Sequence, residues 1–377
     1  MIPQAGGGAD LQAGGSAYLE AGVDYDILDA AKRRAIAAAE PTLALPSARG
    51  ASVIAESIGE PVSLVEMDGR VLAVVLECLG TKSVIAGEVQ ESLGLDRFSD
   101  VGVDAVAAIV NDMCCAGALP VSLNAYFATG SARWYTGSRH ASLVEGWSKA
   151  CAASGAAWVG GESPSLAGIV EEGEIDIAGS ALGAVPAGCR PWTPSRLEGG
   201  DEIVLVSSSG LHANGSSLAR RVAAAALEGW RSALPSGRAL GEAVLDPSLI
   251  YVDLVEALQR EGGPVHYASH VTGHGLRKLM RAPRELTYRI DALPEVPEVL
   301  SFLAARAGLA PAEAYATFNM GVGFALYVAA GAGDVAVGVA RRCGHEAILG
   351  GVVERGPRRV VLEPIGVSYG SEQLALR

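Results

Sequence analysis

The chain has 377 residues, 29 of them Lys or Arg and 42 Asp or Glu, for a formal charge of −13; half of it is hydrophobic and 19% charged. That composition excludes global disorder, and 48 glycines and 18 prolines without a fixed period exclude a collagen-like chain. An acidic chain with few aromatics is also a poor nucleic-acid surface, because phosphate neutralisation needs clustered Lys and Arg.

The length suits about two domains. Residues 1–16 are Gly-rich and read as a flexible tail. Order should begin near Tyr18, where AGVDYDILDAAKRRAIAAA has the look of a capped helix. Residues 62–67 and 71–77 are β-rich runs separated by Asp68-Gly69, the dipeptide that supplies the positive φ angles of a tight hairpin turn. Residues 101–118 carry Val106, Ile109, Val110 and Met113 on one face and Asp104 and Asn111 on another, with Asp112 at its edge, which is helical spacing. A strand at 121–129, a helix at 142–153 and strands near 157 and at 175–184 follow. Three prolines and a Gly-Gly in residues 186–200 mark a domain boundary, dividing the chain into 17–186 and 187–377. The second half repeats the alternation: strands at 202–206, 286–290 and 322–328, helices at 216–227 and 247–259. Both halves are therefore mixed α/β.

The start, MIPQAGGGAD, has neither a basic nor an apolar leader region, so the six cysteines read as reduced thiols of a cytoplasmic protein. The uncharged windows 113–132 and 314–333 are long enough for a membrane span, but Pro120 and Asn124 interrupt the first and Asn319 with several glycines the second. No membrane contact is expected.

Four segments carry candidate chemistry. Glu77-Cys78-Leu79-Gly80-Thr81-Lys82 places a carboxylate for Mg²⁺ and an ammonium for phosphate at a strand end, although it is no Walker loop and a turn with a surface Lys explains it as well. Gly160-Gly161-Glu162 puts another carboxylate after a strand, where glycines allow close ligand approach or merely a turn. The loops 207–215 (SSSGLHANG) and 272–275 (TGHG) each enter a helix, whose start offers unpaired N–H groups to an anion or an ordinary cap. His266, His270 and His274 are spaced by four, which would suit a metal only on a helix, and Gly273 and Gly275 break one. The polar stripe of Asp104 and Asn111 faces either a ligand or solvent. Cys114 and Cys115 read as core thiols.

Taken in order, LGTK (79–82), VGVDAVAAIVNDMCCAGALP (101–120), VGGESPSLAGIV (159–170), GEIDIAGSALG (173–183), SSSGLHANGSSLARR (207–221), HVTGHG (270–275) and TFNMGVG (317–323) resemble the phosphoribosylformylglycinamidine cyclo-ligase (AIR synthase) family. The resemblance implies a two-domain AIR synthase-like fold, homodimeric through its N-terminal sheets, with a C-terminal α/β sandwich that binds a phosphorylated small-molecule substrate. It also implies ATP and Mg²⁺ and an amide oxygen activated by phosphorylation before imidazole ring closure in purine biosynthesis. Under it Lys82, His212 and His270 are catalytic. ATP falls to Gly80, Thr81, Lys82, Asp104, Asn111, Gly160 and Gly161, and Mg²⁺ to Glu77, Asp104, Asp112 and Glu162. Ser208, Ser209, Gly210, Asn214, Thr272, Gly273, His274 and Asn319 hold the substrate.

The chain departs from the family pattern in three places. Glu77-Cys78-Leu79 stands for Asp-Gly-Val, residues 47–52 (SARGAS) replace a Gly-Gly-Phe-Gly segment, and His274 interrupts an all-glycine loop. A small-molecule kinase or amide-activating enzyme of the same superfamily, and a non-catalytic nucleotide-binding homologue, are the alternatives.

Overall fold

The computed structural model describes residues 25–374; the expected flexible tail and the first residues of the expected N-terminal helix lie outside them. From the N-terminus come α1 (Tyr25–Ala39), β1 (Ala51–Val53), β2 (Ser63–Met67), β3 (Arg70–Cys78), α2 (Lys82–Leu93), α3 (Phe98–Cys114), β4 (Leu119–Thr129), α4 (Ser138–Ala153), β5 (Ala157–Glu162) and β6 (Ile175–Ala184). The strands form one sheet in the order β1-β2-β3-β6-β4-β5, antiparallel except for β4 beside β5. Asp68 and Gly69 join β2 to β3 with φ of 50° and 71°, the two positive angles that match hairpin twist.

Alternation along β3 buries Ala73, Val75 and Leu79 beneath α3, and leaves Val74 and Leu76 on the other face. Helix α4 lies against α3, and a side chain on Gly102 or Gly146 would collide with the facing backbone there. The expected helix at 101–118 stops at Cys114, where Gly117, at φ 67°, turns the chain into β4. Helix α2 was not expected: its sequence, KSVIAGEVQESL, buries residues around most of its circumference and so shows no clean stripe.

The second sheet follows with β7 (Glu202–Ser207), α5 (Ser216–Ala225), α6 (Leu240–Ala243), α7 (Val252–Arg260), β8 (Val265–His270), β9 (Leu286–Ile290), α8 (Glu298–Arg306), α9 (Pro311–Thr317), β10 (Val322–Val328), α10 (Gly333–Arg342), β11 (Ala347–Arg355), β12 (Arg359–Leu362) and β13 (Val367–Gly370). Its strand order is β13-β12-β9-β11-β7-β10-β8, antiparallel except for β12 beside β9. Every residue of β10 is buried, so this sheet is covered on both faces along that strand. The helix expected at 247–259 begins only at Val252. The N–H groups of Ser248, Leu249 and Tyr251 are donated instead to the side chains of Asp104, His212 and Asn111, which holds residues 248–251 outside the helix. No described helix is long and apolar enough to cross a membrane.

Candidate active site

A cleft of about 510 Å³ opens where the two sheets meet. The end of β3 supplies Glu77, Cys78 and Leu79, α3 supplies Ala108 and Asp112, and the end of β8 supplies His270. The turn after β8 adds Thr272, Gly273 and His274, and a 3-10 turn adds Lys278 and Arg281. Ala213 and Asn214 precede α5, Gly59–Pro61 form one rim, and Lys32, Ala35 and Ile36 of α1 form another.

The charged groups of this cleft are organised in pairs. His270 Nδ1 lies 2.7 Å from Asp112 Oδ1, and Lys278 Nζ donates to Thr272 Oγ1 at 2.7 Å. Glu60 accepts from Tyr267 at 2.8 Å and pairs with Arg281 Nε at 3.2 Å. Glu77 and Asp112 touch. Burial first, then the charge and hydrogen bond of Asp112, push the Glu77 carboxyl up to about 8. Burial would also raise Asp112, but the hydrogen bond and charge of His270, with Lys278 and Glu77, hold it below the usual range. Two carboxyls this close and this buried resist ionising together. Burial and the neighbouring Arg281 bring the Lys278 ammonium down to about 8, against the pull of Asp112 and Glu77.

Such a carboxyl pair fits a hard divalent cation, whose charge would let both carboxylates ionise. Among the described residues no cluster of three or more His, Cys, Asp or Glu could hold a metal by itself. The remaining ligands would be water and phosphate oxygens, the usual complement of Mg²⁺.

Of the residues singled out in the sequence, Glu77, Asp112, His270, Asn214, Thr272, Gly273 and His274 line this one cleft. The other expected residues stand elsewhere. Lys82 and Asp104 are 0% exposed and do not line the cleft. Lys82 Nζ is 2.5 Å from Asp104 Oδ2 and donates to the His212 carbonyl at 2.8 Å, while Asp104 Oδ1 accepts from the N–H and Oγ of Ser248. Asn111 donates to Leu249 and accepts from Tyr251, so both ends of its amide are used. The polar atoms of Lys82, Asp104 and Asn111, expected as metal or ATP contacts, are thus engaged with residues 212 and 248–251 of the second half of the chain and do not open on the cleft.

His212 is buried, and its Nε2 accepts from Ser209 N–H at 3.1 Å and, at 3.5 Å, from Leu249 N–H. Burial, then the charges of His270 and Lys82, hold this imidazole well below its ordinary pKa, as a neutral acceptor inside the protein. Asn319 accepts from Ser208 and from Gly321 N–H, and donates to the carbonyls of Gly210 and Leu211; Ser209 Oγ donates to Pro247. Ser208, Ser209, Gly210 and Asn319 therefore shape the loop rather than line the cleft. Gly80 and Thr81 precede α2, with Thr81 Oγ1 3.5 Å from Ser217 Oγ, also outside the cleft lining.

Gly160, Gly161 and Glu162 lie on the edge strand β5. Cys78, Ala178, Tyr126 and Glu162 form one row across the sheet, which puts Glu162 roughly 14 Å from the end of β3 and on the face opposite Glu77. Within one chain Glu162 cannot share a metal with Glu77. The histidines spaced by four come from a strand and a turn, and pair separately: His266 with Asp201, His270 with Asp112, and His274 Nε2 at 3.9 Å from Asp29. Sequence reasoning missed Lys32, Glu60, Lys278 and Arg281. The one signal for them was the basic spacing Arg277, Lys278, Arg281 directly after the TGHG loop.

Residues 59–185 match the family model for AIR synthase related protein, N-terminal domain, and residues 198–363 that for AIR synthase related protein, C-terminal domain. The chain is 35% identical over 353 residues to a phosphoribosylformylglycinamidine cyclo-ligase of Sorangium cellulosum (strain So ce56), covering 90% of this chain and 96% of that one. Among solved structures it is similar to the hydrogenase maturation protein HypE, with a TM-score of 0.60 at 19% identity over 79% of this chain and 87% of that one. It is also similar to thiamine-monophosphate kinase from Stenotrophomonas maltophilia K279a, with a TM-score of 0.56 at 19% identity over 82% and 91% of the two chains. At that identity the structures speak to the fold alone. With both family models matched in order and a relative aligned along nearly its whole length, the chain belongs to the AIR synthase-related family.

Proposed function

We propose that the chain is an ATP- and Mg²⁺-dependent ligase that converts phosphoribosylformylglycinamidine to aminoimidazole ribonucleotide, a ring closure of purine biosynthesis. The observation that carries this reading is the meeting, in one cleft, of the Glu77–Asp112 carboxyl pair with Lys278 and Arg281. Family membership and the cyclo-ligase relative support it.

In the proposed reaction the γ-phosphoryl group passes from ATP to the amide oxygen, so that one P–O bond forms as the bond to ADP breaks. An internal amine then adds to the activated carbon, the C–O bond breaks, and phosphate leaves with the amide oxygen. Glu77 and Asp112 would hold Mg²⁺, which supplies charge neutralisation at the triphosphate. Lys278, Arg281 and Lys32 face the same space and stabilise negative oxygens. His270, its Nδ1 tied to Asp112, keeps Nε2 for moving a proton at the reacting amine. Asn214 and the Thr272-Gly273 turn would receive the substrate phosphate and ribose.

Cys78 and His274 line the cleft where the family pattern has glycine, and this favours a second reading in which a different amide or hydroxyl is phosphorylated. A steady-state assay with the formylglycinamidine substrate separates the two. Equimolar ADP, inorganic phosphate and imidazole product support the ligase, phosphate retained on the product supports a kinase, and no ADP release with Mg²⁺ present rejects both.

The working unit is proposed to be a cytoplasmic homodimer. Val74, Leu76, Val121 and Leu182 are exposed on the bare face of the first sheet, Leu76 by 75%, and a second copy would cover them. All six cysteines are free thiols, which suits a reducing compartment.

A further inference from the structure

The buried cluster behind the cleft joins the two halves of the chain. Lys82 opens α2 and Asp104 lies on α3, both from the first half. Their partners, the His212 carbonyl and Ser248, belong to the second. Asn111, further along α3, takes the neighbouring Leu249 and Tyr251, and Asp112 beside it faces the cleft.

Stability alone is a weak reason for such a cluster, because a buried ion pair gains little over well-packed apolar side chains. Its geometric effect is more specific. His212 holds φ at 58°, a left-handed conformation unfavourable for a residue with a Cβ. Such a conformation persists where its surroundings over-determine it. Here Lys82 fixes the His212 carbonyl, while the N–H groups of Ser209 and Leu249 fix its ring. The next residues, Ala213 and Asn214, line the cleft.

We infer that Lys82 and Asp104 are positioning residues, whose buried pair fixes the 207–215 loop and the 248–251 segment against α2 and α3. They thereby hold Asn214 in register with Glu77 and Asp112. Neither residue touches the reacting groups. The inference rests on the proposed function only for its activity readout.

The test is the double variant Lys82→Met with Asp104→Leu, which removes both charges and strands neither. Amide hydrogen exchange is read at Ser209, Ser248 and Leu249, with Leu205 and Phe324 in the neighbouring strands as internal references, together with kcat/KM. The expected result is exchange faster by tenfold or more at the three loop amides relative to the references, and a fall in kcat/KM of similar size. Should the double variant fail to fold, Ser248→Ala, which takes one hydroxyl from Asp104 outside the cleft, should give the same pattern at smaller amplitude. Unchanged local exchange overturns the inference, and lost turnover with unchanged exchange would return Lys82 to the chemistry. Faster exchange with unchanged turnover would reduce the pair to a structural tie and also overturns it. If the wild-type protein itself shows no turnover, the ligase reading fails and the exchange data alone decide the clamp.

Discussion

Asp104 and Asp112 are carried by the same helix, α3, yet the first is closed on both oxygens by Lys82 and Ser248 while the second opens on the cleft through His270 and Glu77. Helical spacing brings Asp104 and Asn111 to one side, but what lies across from that side is set by the second half of the chain. There the 248–251 segment offers N–H and carbonyl groups that need partners, and Asp104 and Asn111 satisfy them. Asp112, one residue on from Asn111, pairs instead with the side chains of His270 and Glu77 at the cleft wall. One helix thus carries an anchor and a candidate metal ligand, and its rigidity links them.

The contrast is broken most directly by neutralising each carboxylate. Asp112→Asn keeps the size and removes one charge, so ATP turnover should fall by on the order of 10²–10³ while the melting temperature stays close to that of the parent. Turnover and Mg²⁺ demand both unchanged would end the metal assignment. Asp104→Ala should do the reverse at the level of folding. It strands the Lys82 ammonium at 0% exposure, which should cost about 3–5 kcal/mol in equilibrium urea denaturation. A loss below about 1 kcal/mol would mean that the pair is weaker than its geometry implies.

Much of the scaffold could be read from local pattern. The hairpin around Asp68-Gly69 stands where its turn chemistry puts it, and the strands β6, β9 and β10 match the runs expected at 175–184, 286–290 and 322–328. Helix α2 and the late start of α7 did not show, for different reasons. The first is buried on most sides and lacks a stripe, and the second loses its opening turn to side chains distant in sequence. In the site, Glu77, Asp112 and the TGHG turn were legible because each is a compact motif. Lys32 and Glu60 were not, since α1 and the 59–61 rim carry no motif, and Arg281 had only the basic spacing after TGHG; all three become neighbours only when both sheets are in place.

The two sheets differ in the same instructive way. Alternation in the first leaves apolar side chains on a bare face, whereas β10 in the second is buried throughout. Leu76→Glu should therefore leave each chain folded but shift a dimer to monomers in sedimentation velocity at micromolar concentration. Leu326→Glu, at a fully buried position of β10, should prevent folding outright. A dimer unmoved by Leu76→Glu would place its interface elsewhere.

His274 supplies the smallest effect, in a turn where the family pattern has glycine. It holds φ at 71° and is buried beneath α1, with Asp29 3.9 Å from Nε2. Burial, then the charges of Arg277, Lys278, Lys32 and Arg281, bring its pKa down to about 2. The unfolded chain takes up this proton near pH 6.5, and the folded chain does not until far lower. Stability from this group is thus complete above the unfolded pKa and is shed as pH falls, at up to about 1.4 kcal/mol per pH unit. Asn tolerates the left-handed conformation and does not titrate, so His274→Asn should change stability little at pH 7.5 and flatten its decline between pH 6 and 4. Urea midpoints at pH 7.5, 6, 5 and 4 for parent and variant make the comparison. Parallel curves would show that the folded protein admits the proton, and that the imidazole is less enclosed by α1 than its burial indicates.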